Sequence, residues 1–388
     1  MFLESLKITH LLSFGPDSME ISLQPLNLII GPNGSGKSNF LEAISLLQSA
    51  PRDLNEPIRD AGGIREWLWK GGKKGDVAQI EAIIKNFDLR TIPLRHLLLF
   101  TESAYRFEMV QECIENRDAL PGEKQPFFYY HFKSGRAWLN TGRKKRELKR
   151  ETIHPEQSIL SQRKDIDLYP EVTRLGELYL KIKLYREWGI GRFTSPRQPQ
   201  DGHGKNDFLA EDYRNLGMVL NRLKQNIEAK MILLKYLNML NGDIKDFDVI
   251  MEGGKVQVFF QEQNMAISAT RLSDGTLRYL SLLAILCHPE PPPLVCIEEP
   301  ELGLHPDILP SLAELLKEAS KRMQLIVTTH SEILVDQFTD TPESVIVCEK
   351  KNMQTQMRRL ERKELEDWLD EYGLGTGWTK GYIGGVRW

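Results

Sequence analysis

Gly31 to Ser38 reads GPNGSGKS, an instance of G-x-x-x-x-G-K-[ST]. Glycines at this spacing let a backbone curl closely round an anion, where side chains would collide. Gly31, Pro32, Asn33, Gly34, Ser35 and Gly36 are expected to wrap phosphates, with N–H groups of the loop and of the helix start aimed inward. Lys37 then reaches β- and γ-phosphate oxygens, Ser38 offers a hydroxyl to Mg²⁺, and Asn39 completes the contact set. A second constellation follows the apolar run that ends at Ile297. Glu298 and Glu299 stand at its carboxyl end, where α/β sheets place ligand groups. Successive strand residues point opposite ways, but where the chain turns both acids can serve one site. Glu298 is assigned to the metal shell, directly or through water, and Glu299 to the attacking water as general base. The run Leu325 to Ser331 (LIVTTHS) ends in His330, expected one strand over, within reach of the γ-phosphate or that water.

The elements that must carry these residues are legible in outline. Leu26 to Ile30 (LNLII) has the unbroken apolar character of a strand buried on both faces, and helical spacing begins at Ser38. Phe2 to Ile8 alternates as a strand, and Met19 to Leu23 is a second, shorter one. Near the other end, Leu294 to Ile297 and Leu325 to Thr328 are short apolar runs. The helical pattern from Ile308 to Met323 separates them, which predicts a βαβ unit and a parallel sheet. Between the two regions, Phe127 to Phe132 and Ala137 to Asn140 read as a hairpin around KSGR. Arg143 to Arg150 (RKKRELKR) reads as a basic helical run. Arg192 to Lys205 reads as an exposed Pro/Gly loop, and Asn206 to Leu240 as one or two helices.

Composition bounds the function. The 388 residues carry a net charge of −3, with 41% hydrophobic and 27% charged residues. That excludes a disordered chain and a globally basic nucleic-acid binder. The four cysteines are dispersed and never form C-x-x-C, which argues against a disulfide framework or zinc site and for a reducing cytoplasm. No apolar run approaches membrane-spanning length, and MFLESLKITH lacks the apolar core of a signal peptide. The expectation is a cytoplasmic protein with no membrane contact.

Taken together these residues resemble the ATP-binding cassette class of ATPases, in the branch of RecF, SMC and OLD proteins. Arg271 to Leu280 (RLSDGTLRYL) looks like that class's signature loop, with Ser273 and Gly275 matching and Asp274 in place of the first glycine of the usual pair. The set LSDGTLRYL, EEPELGLHP, THS and WLDEYGLGTGWTKGYIGGVRW is similar to stand-alone bacterial ATPases of the AAA-21 type. The resemblance implies an α/β fold: an ABC-type, RecF/SMC-head-like P-loop ATPase with a mixed sheet and an inserted helical lobe. It implies ATP and Mg²⁺ as cofactors, and a homodimer or higher homo-oligomer in which Ser273 and Gly275 cap the γ-phosphate held by the opposite subunit. It gives His330 a catalytic role beside Glu299 and Lys37. Gln162, in SILSQRKD, becomes the candidate for a glutamine that senses metal and γ-phosphate.

The expected organisation is an N-terminal half-head (1–53), an inserted region with the hairpin and Gln162 (54–205), a helical lobe with return strands (206–270), and a C-terminal half-head with a docking tail (271–388). About 58 residues follow His330, too few for a Toprim nuclease in the same chain. The resemblance therefore implies a separately encoded effector, a Toprim-like nuclease, in anti-phage defence. The alternative is a RecF/SMC-like DNA-repair or DNA-sensing ATPase that binds nucleic acid directly, with RKKRELKR or Arg52, Arg59 and Arg65 as contacts. Phe14 is a candidate for packing on adenine or for the core, and the Gly/aromatic tail is expected either to dock on the molecule's own surface or to serve as a partner-binding peptide.

Overall fold

A computed structural model of the chain describes residues 1–85, 92–140, 145–148, 154–365 and 372–386. The chain divides into two compact units: Met1–Ile182 with Glu343–Glu361 and Gly381–Trp388, and Lys183–Pro342 with Arg362–Lys380. These cuts fall elsewhere than at the expected 53/54, 205/206 and 270/271.

In the first unit, eight strands lie side by side with every pairing antiparallel. Their order is Ile21–Ser22, Leu3–Thr9, Ala78–Ile84, Leu94–Ser103, Arg106–Asn116, Phe128–Lys133, Arg136–Asn140 and Lys145–Leu148. The predicted hairpin is its sixth and seventh strands. Most of what reads as an insertion thus continues the sheet begun by the N-terminal strand, since Leu6 pairs with Ala82. The basic run was expected to be helical. Lys145–Leu148 is instead an edge strand, and the rest of that run lies outside the described residues.

A second, mixed layer of this unit carries the phosphate loop. Leu26–Ile30, buried at all five positions, pairs parallel with Val345–Lys351, which pairs antiparallel with Gln354–Arg359. Helix Lys37–Ser49 buries Phe40, Leu41, Ile44 and Leu47, and helix Pro170–Leu180 packs against it. Gln48 Nε2 donates to the Ile182 carbonyl at 2.7 Å. A buried polar knot ties the large sheet to the short helix Ile159–Gln162. Glu112 accepts from Ser158 Oγ (2.5 Å) and Ile159 N (2.9 Å) and meets His96 Nε2 at 3.3 Å, while His96 Nδ1 meets the Tyr179 hydroxyl at 3.0 Å.

In the second unit Lys183–Tyr185, Leu294–Glu298 and Gln324–Thr328 form a parallel trio, with helix Leu309–Ala319 between the last two in sequence, as the βαβ pattern predicts. Residues 206–270, expected as a helical lobe with return strands, hold both kinds of element. Helices Leu216–Gln225 and Ile227–Leu240 accompany an antiparallel sheet in which Lys255–Glu262 pairs with Ile244–Glu252, Gln200–Asp201 and Met265–Ser268. Phe247, Val256, Val258 and Phe260 supply its buried positions, a period-2 pattern that the sequence carries. The Pro/Gly loop is not simply exposed, because Arg197 and Gln200 within it are buried.

The tail docks on the chain's own surface. In the second unit, helix Leu374–Thr379 presents the N–H of Gly375 to Asp336 Oδ1 at 2.6 Å. In the first, Gly385 N donates to Glu349 Oε1 at 2.7 Å and Arg358 Nη2 to the Ile383 carbonyl at 2.6 Å. All four cysteines are free and buried. No helix among the described residues is long and apolar enough to cross a membrane.

Candidate functional site

The buried strand Leu26–Ile30 ends at Gly31, and the chain then curls through Ser35 into helix Lys37–Ser49. Gly36 sits at the helix N-cap with φ +112°, and a Cβ there would meet Thr355 Oγ1 at 2.1 Å. Only glycine fits both conditions. Thr355 braces the loop, its hydroxyl meeting the Ser35 carbonyl at 2.7 Å and Ser13 Oγ at 2.6 Å. Asn39 Nδ2 donates to the same Ser13 Oγ at 2.7 Å, so Asn39 holds the wall of the loop rather than its mouth. The Cys348 thiol adds a contact to the Ser35 carbonyl at 3.4 Å.

The helix start has no side-chain cap and no acidic residue in its first turn. The positive end of its dipole thus meets neither a capping side chain nor a carboxylate of its own first turn, a setting that favours an anion. Lys37 is 5% exposed, and its ammonium donates to the carbonyls of Gly31 (2.8 Å) and Pro32 (3.2 Å), inside the curl. Ser35 Oγ is buried with no hydrogen-bond partner among the described residues, an orphaned donor in keeping with a phosphate ligand. Asn33 and Gly34 form the exposed rim, and Ser38 is half-buried in the first turn. Phe14 is in the core, 6.4 Å from the Phe40 ring centre, which is the second of its two expected roles. Gln162 is used up locally: Nε2 donates to the carbonyls of Gln157 (2.9 Å) and His154 (3.1 Å), and Oε1 accepts from His154 N (2.8 Å). Its amide thus closes its own loop, and a sensing role would require it to leave these bonds.

The acidic strand end is built in the second unit. Leu294–Glu298 is buried up to its last residue, and Glu298 pairs with Thr328 of the neighbouring strand. Glu299 then takes φ +47°, a left-handed conformation rare outside glycine, held by its N–H on the Thr328 carbonyl at 3.0 Å. That turn sends the two acids to different partners. Glu298 Oε2 accepts from Arg186 Nε at 3.2 Å, and its carbonyl accepts from Trp188 Nε1 at 2.8 Å. Glu299 Oε1 lies 3.5 Å from His330 Nε2. The structure thus brings Glu299 and His330 together and gives Glu298 a counter-ion.

Glu301 is a third acid that motif reading passed over. Its Oε1 accepts from Thr329 Oγ1 (2.7 Å) and from the N–H of His330 (2.8 Å), pinning the loop that carries the histidine. Its Oε2 is enclosed without a partner among the described residues, and burial raises its pKa above the ordinary glutamate value. The signal was available: one carboxylate two residues past the pair, in EEPE.

In the same unit Ser273 caps helix Asp274–Leu286, its hydroxyl accepting from Thr276 N at 3.0 Å. The first turn of this helix lies against the turn that follows the acids. A Cβ on Gly275 would meet the Gly303 carbonyl at 2.6 Å, and Arg278 Nη1 donates to the Leu302 carbonyl. Arg278 also lies 5.0 Å over the Trp188 ring, the indole whose N–H holds the Glu298 carbonyl.

The sequence profile of one family, described as "AAA domain, putative AbiEii toxin, Type IV TA system", matches residues 26–169 and 185–336, well over half of the chain. The chain belongs to the AAA-21 family. The match takes in the phosphate loop, the signature-like turn, both acids and His330. Among solved structures, the AAA-21 chain is similar to an Smc head bound to the C-winged helix domain of ScpA. Identity is 15% over 94% of this chain and 99% of that one, with a TM-score of 0.59. It is also similar to the Smc head domain with an extended coiled coil bound to the C-terminal domain of ScpA from Pyrococcus furiosus, at 14% identity, 95% and 99% coverage and a TM-score of 0.58. The fold is that of an SMC head. No protein among those with curated function matches.

Proposed function

We propose that this AAA-21 chain binds Mg–ATP through Gly31–Ser38, hydrolyses it, and uses the nucleotide to close and open a homodimer. The observation that carries the reading is the glycine-curled, acid-free start of helix Lys37–Ser49, with the Lys37 ammonium and the orphaned Ser35 hydroxyl in the same curl. The N–H groups and Lys37 hold the triphosphate and neutralise charge that develops as the γ-phosphoryl is transferred. Ser38 and Glu298 are hard oxygen donors of the type Mg²⁺ prefers, and Glu298 would exchange its Arg186 contact for the metal shell. Mg²⁺ would supply charge neutralisation between the β- and γ-phosphates. Glu299 orients and deprotonates the attacking water, with His330 beside its carboxylate. Ser273 and Gly275 meet the γ-phosphate held by the second copy.

Titration with a fluorescent ATP analogue tests the binding step. Lys37→Ala should lose tight binding, and retained tight binding would contradict the assignment.

The output is read from resemblance: a separately encoded effector, a Toprim-like nuclease, gated by the closed dimer in defence against phage. The Smc heads of similar fold are bound to a second protein chain, which supports a head that works through a partner. One observation favours the alternative of direct nucleic-acid binding. A pocket of about 220 Å³ in the first unit is lined by Arg65, Lys70, Lys73 and Lys74 around Trp69. Cations beside a half-buried indole, with Asp76 as the one carboxylate of the lining, suit a phosphate backbone and a stacked base. ATPase stimulation by DNA that collapses steeply with salt would favour that alternative.

A further inference from the structure

Asp274 stands where the signature pattern has a glycine, at the first position of a helix whose N-terminus must receive a phosphate. Its carboxylate is 65% exposed, yet it is paired with the Nη2 of Arg197, a side chain only 10% exposed. The same guanidinium donates through Nη1 to the carbonyls of Leu272 and Thr270 (the latter at 3.4 Å), and through Nε to Gly191 at 3.3 Å. The segment that presents it is itself folded. Thr194 Oγ1 donates to the Gly191 carbonyl at 2.8 Å and accepts from Gly191 N at 2.9 Å, and Arg197 N donates to the Thr194 carbonyl at 3.1 Å. One buried arginine therefore clamps the two carbonyls leading into the turn and the acid just after Ser273.

From this geometry we propose that Arg197 is a positioning residue for the signature-like turn. It cancels the charge of Asp274, so that the pair presents the partner's γ-phosphate with the neutral helix N-terminus a glycine would have left. This rests on the reading that Ser273 and Gly275 face ATP held by a second copy. Without Arg197, the aspartate would meet the triphosphate as an unscreened like charge. With it, Asp274 keeps its favourable place at the positive helix end at no cost to the ligand.

The test uses the full-length chain in the Glu299→Gln background, following ATP-dependent dimerisation by sedimentation. Arg197→Gln should raise the ATP concentration for half-maximal dimer about tenfold or more, a deficit that shrinks as salt rises and screens Asp274. Binding of a fluorescent ATP analogue to the monomer should not change. Adding Asp274→Gly to Arg197→Gln should restore association, and Asp274→Gly alone should associate at least as readily as the parent. Parent-like association of Arg197→Gln would overturn the proposal, as would a double variant no better than the single or a deficit indifferent to salt. Weaker association of the Asp274→Gly single variant, which leaves the clamp on the carbonyls intact, would overturn it too. If the Glu299→Gln parent itself fails to dimerise with ATP, the dimer reading falls and this proposal with it.

Discussion

Glu299 and Glu301 are two residues apart and meet opposite sides of the same histidine loop. Glu299 is turned out of the strand by a left-handed backbone and set 3.5 Å from His330, half-exposed where a water can reach it. Glu301 faces inward, fixing the histidine's own N–H and the Thr329 hydroxyl with one oxygen. Removing Glu301 should therefore leave nucleotide binding intact while loosening His330. We expect Glu301→Ala to lower kcat about 10-fold or more with little change in KM, because an interaction that only aligns the reacting groups acts on the chemical step. Glu301→Gln, which keeps an acceptor for both donors, should recover much of the loss. A steady-state comparison of the two variants checks this, and equal activity of both with the parent would contradict it.

The elements explain which parts of this could be read in advance. The loop, the buried strand before it and the βαβ unit were legible because each is local: an apolar run, a turn signal and a helical period lie next to one another in sequence. The acid–histidine pair was legible for the same reason, as two strand ends of one parallel unit. The eight-stranded sheet was not, since Leu3–Thr9 pairs with a strand some seventy residues away and nothing local announces that partner. Its long strands Leu94–Ser103 and Arg106–Asn116 lack clean alternation, being buried over consecutive positions. The burial of Arg197 and the local bonds of Gln162 were hidden for a related reason: loop composition and a motif resemblance say nothing about which carbonyls a side chain will find. Two tests belong at this scale. Glu112→Ala leaves Ser158 Oγ, Ile159 N and His96 without their buried acceptor, and we expect a loss of about 3–5 kcal/mol in denaturant unfolding. A loss under 1 kcal/mol would show that the knot is not the sheet's anchor. Gly275→Ala puts a methyl 2.6 Å from the Gly303 carbonyl, forcing the signature-like helix off the turn that follows the acids. ATP-driven association should weaken in that variant while monomer nucleotide binding persists. Unaltered association would mean that the close approach is incidental.

At the scale of the molecule, the fold is that of an SMC head and the net charge is −3, so no overall positive field draws nucleic acid to the chain. We expect duplex DNA to leave ATP turnover unchanged within about twofold at moderate salt; strong, salt-sensitive stimulation would move the account to its alternative. The claim beneath all of this is that Glu299 is the base of an ATP hydrolase. Phosphate release by Glu299→Gln at saturating Mg–ATP tests it most directly. Turnover should fall about 10²–10⁴ relative to the parent, the usual cost of losing a positioned base, with ATP still bound. Turnover at the parental rate in that variant would contradict it.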